Sequence, residues 1–158
     1  MRALFFTLIL IPVSAIADLS GRVVAVHDGD TLTVVDHGRK VRVRLDGIDA
    51  PELAQRYGKS SRNALSRLCR GKSAAVAERG KDEEGNVLGS VTCDKTDASA
   101  EQVKRGYAWV FRTYLPLGSP LYELETNARL MQRGLWRDKD PTPPWEWRQQ
   151  RPARKQSR

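Results

Sequence analysis

Val41-Arg42-Val43-Arg44-Leu45-Asp46-Gly47-Ile48-Asp49-Ala50-Pro51-Glu52 begins as a strand and ends as a cluster of acids. Val41, Val43 and Leu45 alternate with Arg42, Arg44 and Asp46, the two-residue period of a ribbon with one apolar and one polar face. Past Gly47 the alternation gives way to Asp49 and Glu52 around a rigid Ala50-Pro51 step. Upstream, His37-Gly38 forms a two-residue hairpin turn, because such a loop needs positive φ and glycine supplies it freely. That turn sets Val34 opposite Val41, Leu32 opposite Val43 and Thr31 opposite Arg44, so the apolar faces of the two strands agree. Asp30 lies one residue beyond Thr31, and one end of the ribbon therefore gathers a guanidinium with Asp30, Asp49 and Glu52. In a regular strand Arg44 and Asp49 would point to opposite faces; a bulge at Gly47 is expected to cancel the mismatch.

Three carboxylates repel one another unless protons or a cation intervene, and their oxygens suit a hard ion. A cation beside an arginine suits a phosphodiester, since both neutralise the phosphate while a spare carboxylate activates water. Read singly, Asp28-Gly29 and Asp49-Ala50-Pro51 are ordinary turns. Two turns with an arginine on the strand between them fit that bland reading poorly.

Asp28-Gly29-Asp30-Thr31, Val43-Arg44-Leu45 and Gly47-Ile48-Asp49-Ala50-Pro51-Glu52, in that order, resemble the signature of the staphylococcal nuclease (thermonuclease) family. The resemblance continues through Gly106-Tyr107-Ala108-Trp109-Val110 and Gly134-Leu135-Trp136 to Pro143-Pro144-Trp145-Glu146-Trp147-Arg148, an ending typical of Gram-negative members. It spans nearly all of residues 21–148. Any one tetrapeptide is a weak signal, but the ordered set is a strong one.

The chain of 158 residues allows one domain with a real core. Arg2, an apolar run over residues 3–13 and Ala15-Ile16-Ala17 read as a secretory signal peptide over residues 1–17, with an uncleaved anchor as the alternative. Cleavage after Ala17 changes the formal charge from +8 to +7, with 26 basic against 19 acidic residues. Such a field favours polyanions, nucleic acid first, although it serves anionic lipid or solubility as well. Cys69 and Cys93 form an even pair in an exported chain, so a disulfide is the default; without nearby histidines they make a poor zinc site.

Residues 21–27, 31–35 and 39–45 read as three antiparallel strands, 72–78 and 87–93 as a fourth and fifth. Ser60 or Ser61 is expected to cap a helix that stops at Gly71, after a loop from Leu53 that borders the acids. A second helix is expected from about Ala98 to Arg105. Ser119-Pro120 opens a third, with Leu121, Leu124, Ala128 and Met131 as its buried stripe and Gly134 as its end. The expected fold is α+β, a five-stranded OB-fold barrel with about three helices, over residues 18–147. The aromatic residues at 107–114 and 136–147 read as packing residues, Tyr114 excepted. His27 and His37 read as surface residues. Residues 148–158 carry five basic and no acidic side chains and read as a disordered tail, either holding nucleic acid or merely solvated.

The resemblance implies a role for each of the matching residues. Asp30 and Asp49, with the carbonyl of Ala50, match the ligands that hold Ca²⁺ in the family. Glu52 matches the general base, Arg44 an arginine on the phosphate, and Tyr114 a tyrosine that contacts the nucleotide. The resemblance implies cleavage of DNA and RNA with little sequence preference, leaving 3′-phosphate ends. One departure stands out: the family's second phosphate arginine lies in an Asp-x-Tyr-Gly-Arg turn, where this chain has Asp82-Glu83-Glu84-Gly85-Asn86. Asn86 carries no charge, so activity is expected to be weakened unless Arg79 or Lys81 substitutes. Two readings follow: a secreted or periplasmic Ca²⁺-dependent nuclease, or a non-catalytic nucleic-acid-binding module on the same scaffold. Either would be free of the membrane after cleavage, with a monomer as the default state.

Overall fold

The computed structural model describes residues 19–150. The signal-peptide reading of residues 1–17 and residues 151–158 of the expected tail lie outside them. In chain order the elements are β1 (Leu19–Val26), β2 (Thr31–Asp36), β3 (Arg39–Leu45), β4 (Ile48–Asp49), α1 (Gly58–Cys69), β5 (Ser73–Lys81) and β6 (Val87–Cys93). There follow β7 (Thr96–Asp97), α2 (Ala98–Lys104), β8 (Trp109–Val110), α3 (Pro120–Leu130) and α4 (Pro144–Gln149), with short 3-10 turns at Arg112–Tyr114 and Gly134–Arg137.

The β2–β3 hairpin has the register that the turn residues dictate. His37 and Gly38 both take positive φ, at 46° and 82°, and Val34, Leu32 and Thr31 face Val41, Val43 and Arg44. β1 pairs antiparallel with β2 and β5, and β5 with β6. β6 then pairs parallel with β3, Arg44 opposite Leu88, and this closes the five strands into a barrel. Alternate residues fill it: Val23, Leu32, Val34, Val43, Leu45, Val76 and Val91 are all buried, with Leu65 of α1 closing one end. Gly47, at φ 74°, does not bulge a continuing strand. It turns the corner from β3 into β4, which leaves the barrel and pairs with β8. The corner has the effect expected of the bulge, for it brings Asp49 back beside Arg44.

The helices differ from expectation in ways the packing explains. α1 begins at Gly58, before either serine, with Tyr57 in the left-handed region as its N-cap. Ser61 is buried instead and donates to the Tyr107 carbonyl at 2.7 Å. α3 buries Leu121 and Ala128, yet Met131 is 68% exposed. The helix has ended by then, and Gln132 at φ 48° turns the chain away. Gly134 opens the next 3-10 turn rather than closing α3. A fourth helix, α4, joins the three expected, and its range contains Arg148, so the boundary expected between residues 147 and 148 falls inside it. Trp109 and Trp136 pack edge-on at 5.4 Å in a second cluster with Ala128 and Leu135, as the packing reading of the aromatic residues requires. His37 is exposed; His27 is half-buried and hydrogen-bonds the Thr33 hydroxyl at 2.8 Å.

Cys69 and Cys93 are bonded, tying the end of α1 to the end of β6 across a sequence separation of 24. Closing such a loop contributes about 3 kcal/mol by restricting the unfolded chain. Replacing both cysteines with alanine is expected to lower Tm by about 10 °C in a thermal melt without abolishing the fold. Among the described residues no helix is long and apolar enough to cross a membrane.

Candidate active site

At the β1–β2 junction the Asp28 carboxylate accepts from the Asp30 backbone N–H at 3.0 Å and fixes a tight turn. The turn directs Asp30 inward, where it is 5% exposed. One Asp30 oxygen accepts from the Thr31 hydroxyl (3.0 Å) and the other from the Ala50 backbone N–H (2.7 Å), so the start of β2 and the end of β4 are stitched together by a single carboxylate. Arg44, opposite Thr31, extends Nη2 to Asp49 Oδ1 at 3.0 Å and lies 3.8 Å from Asp30 Oδ2. Asp49 is 2% exposed, and its backbone is held by pairing with Trp109. Glu52 stands at the rim, partly open to solvent.

The loop behind Glu52 is fixed by a close approach. A side chain at Gly58 would bring a Cβ within 1.9 Å of the Glu52 carbonyl oxygen, so only glycine permits the fold-back. Gln55 donates its backbone N–H to that same carbonyl, while its side chain accepts from the Glu52 N–H and donates to the Thr142 carbonyl at 2.6 Å. An Arg56–Asp138 ion pair at 2.8 Å adds a second tie to the C-terminal segment.

That segment delivers a group the sequence reading left in the tail. Arg148 of α4 places Nη2 2.8 Å from Asp49 Oδ2 and Nη1 3.3 Å from Asp49 Oδ1, with Nη1 also 2.9 Å from Glu52 Oε1. Asp49 is thus gripped on both oxygens, by Arg44 on one side and Arg148 on the other. The structure brings together Asp30, Arg44, Asp49, Ala50 and Glu52 as the hairpin register implies, and adds Arg148. The signal for it was the Pro-Pro-Trp-Glu-Trp-Arg run, in which the arginine follows two aromatic anchors.

Asn86 does something different. Its side-chain amide donates to Asp82 (2.9 Å) and Glu84 (3.3 Å), and its backbone N–H to Asp82 (2.8 Å), so it braces the β5–β6 turn. Partial burial works against the Asp82 charge, but these hydrogen bonds hold its carboxyl below the usual range. Arg79 and Lys81 lie exposed on β5, and among the described residues neither pairs with the acidic cluster. For Tyr114 the structure describes the backbone of a 3-10 turn, and its side chain lies outside the description.

Burial, then repulsion from Asp28 and Asp49, push the Asp30 carboxyl up to about 8, against the pull of Arg44 and the Ala50 N–H. For Arg44, burial opposes the charge but Asp30 and Asp49 outweigh it; the hydrogen bonds that Arg148 donates to Asp49 and Glu52 likewise hold it firmly protonated. Among the described residues no three His, Cys, Asp or Glu side chains form a ready-made cation cage. The residues nevertheless fit a hard divalent ion. The donors are all oxygens, two carboxylates are nearly buried, and such an ion would offset both the burial and the repulsion that keep Asp30 protonated.

A closed barrel with buried aspartates, guanidinium groups and a half-open glutamate at one mouth defines a nuclease, a phosphodiester hydrolase acting on nucleic acid. The chain belongs to the staphylococcal nuclease family: residues 42–138 match the family described as Staphylococcal nuclease homologue. It is 44% identical over 133 residues to an Escherichia coli protein named "Uncharacterized endonuclease", covering 84% of this chain and 86% of that one. To the "Micrococcal nuclease" of Shigella flexneri it is 37% identical over 159 residues, covering 94% and 91%. An "Uncharacterized endonuclease" of Haemophilus influenzae is 40% identical over 131 residues, covering 82% and 72%. Of the two readings drawn from the sequence, the hydrolase stands.

Proposed function

We propose that this nuclease is an exported, Ca²⁺-dependent endonuclease that cleaves DNA and RNA with little sequence preference, acting as a monomer. The observation that carries the reading is Asp49, a buried carboxylate held between two guanidinium groups and beside an acid that burial keeps protonated. Asp30, Asp49 and the Ala50 carbonyl would hold the cation, which when bound neutralises phosphate oxygens and polarises phosphorus. Arg44 binds a non-bridging oxygen and stabilises the charge that grows there as a fifth bond forms. Glu52, at the rim, takes the proton of the attacking water. The new O–P bond forms as the bond to the 5′-oxygen breaks, leaving a 3′-phosphate and a 5′-hydroxyl whose proton comes from solvent. Tyr114 is assigned to the nucleotide. All but that last contact address the backbone of the substrate, which supports loose specificity. The buried disulfide supports an oxidising compartment, and hence residues 1–17 as an export signal.

Plasmid digestion tests the reading. Cleavage is expected with Ca²⁺ and not with excess chelator, and it is expected to collapse in Glu52→Ala. Cleavage indifferent to chelator would remove the cation from the proposal, and salt-sensitive binding without cleavage would remove the chemistry.

A further inference from the structure

The chemistry above uses one guanidinium, yet two grip Asp49. We propose that Arg148 is the second phosphate-binding arginine of this enzyme, supplied by the C-terminal helix in place of the charge absent at Asn86. The proposal rests on the hydrolase reading of the same site.

Asn86 has no charge, and its amide is committed to Asp82 and Glu84. Arg148 reaches the acidic cluster itself, and its position is built rather than accidental. Pro144 is buried, Trp145 packs on Phe111 at 5.9 Å between ring centres, and Gln55 binds the Thr142 carbonyl. The same loop that carries Glu52 therefore anchors the segment that carries Arg148. A guanidinium needed only to balance Asp49 would be served by burial, but the Arg148 side chain is 41% exposed against 3% for Asp49, so it meets that acid from the solvent side, where a ligand would enter. Its two partners are the residues assigned to the cation and the proton. In the resting enzyme Arg148 pairs with Asp49 and Glu52. With substrate present, the fork passes to non-bridging oxygens of the scissile phosphate, and Glu52 is freed to accept the proton. Arginine suits this exchange because its planar donors match carboxylate and phosphate alike.

Wild type, Arg148→Ala, Arg148→Lys, Asn86→Arg and the Asn86→Arg/Arg148→Ala pair are compared on a single-stranded oligonucleotide with Ca²⁺. Calorimetry adds two binding measurements, Ca²⁺ alone and a 3′,5′-bisphosphorylated mononucleotide in chelator. Arg148→Ala is expected to lower kcat on the order of a hundredfold, with Lys intermediate. Asn86→Arg is expected to recover about tenfold or more of that loss in the double variant, and to add less to wild type. Arg148→Ala should also bind Ca²⁺ more tightly, having lost a competing cation, and the bisphosphate more weakly. Faster cleavage by Arg148→Ala would mark the residue as a plug and overturn the proposal. So would slow cleavage that Asn86→Arg fails to repair while bisphosphate affinity stays unchanged, the mark of a purely structural arginine. If Arg148→Ala does not fold, Arg148→Lys and an Asn86→Arg/Arg148→Lys pair carry the test, with a loss in the first that the second repairs. Unchanged cleavage in Glu52→Ala would instead sink the site reading, and the bisphosphate titration would still judge Arg148.

Discussion

Glu52→Gln is expected to lower kcat by about two to four orders of magnitude while leaving the thermal melt and the affinity for a single-stranded oligonucleotide nearly unchanged. The amide keeps the size of the carboxylate and still accepts from Arg148 Nη1, which lies 2.9 Å from Glu52 Oε1, so the loop keeps its position. What is lost is the ability to take a proton. Because Glu52 is partly exposed and on the rim, its replacement opens no cavity and strands no buried partner. Single-turnover cleavage separates this from weaker binding. A kcat within about threefold of wild type would assign the proton to another group.

Asp30→Asn is the second large effect, and it combines a gain with a loss. In chelator the Asp30 carboxyl is pushed up to about 8, so the folded protein holds that proton more tightly than the unfolded chain does. Wild-type stability is therefore flat below the ordinary carboxylate range, falls as pH rises through the interval to about 8, and is flat again above. Asp30→Asn cannot ionise. In chelator it is expected to melt higher than wild type at about pH 8, and the pH-dependent loss should shrink. Its side-chain oxygen can still accept from the Ala50 N–H. Added Ca²⁺ should raise the wild-type Tm most at the alkaline end and leave the variant nearly unmoved, with cleavage falling on the order of a thousandfold. A variant that melts lower than wild type throughout would mean that Asp30 is already ionised and paired without a cation.

Much of this site could be read from the chain because it is built on short-range rules. His37-Gly38 sets the register, the register sets Thr31 across from Arg44, and Asp30, Asp49 and Glu52 are within a few residues of that pair. Arg148 obeys no such rule. It meets Asp49 across a sequence separation of 99, and its place depends on how residues 138–144 cross the molecule. The residues that follow it are basic and polar, so local composition argued for a disordered tail. Glu125 was hidden for a related reason. A charged residue within a helix suggests the outer face, yet this one is 4% exposed, because one oxygen accepts from the Val110 N–H and the other lies 3.4 Å from Arg129. Met131 failed in the opposite sense, since helical periodicity cannot say where a helix stops.

The parallel pairing of β3 with β6 bears on how the enzyme comes into being. Arg44 gains its barrel neighbour only when residue 88 arrives, Asp49 gains Trp109 later still, and Arg148 comes later again. A chain that stops short of residue 88 holds Asp30, Arg44 and Asp49 without the strands that brace them. An acidic cluster braced by residues this far apart therefore takes shape late, once the barrel has closed and Arg148 has arrived.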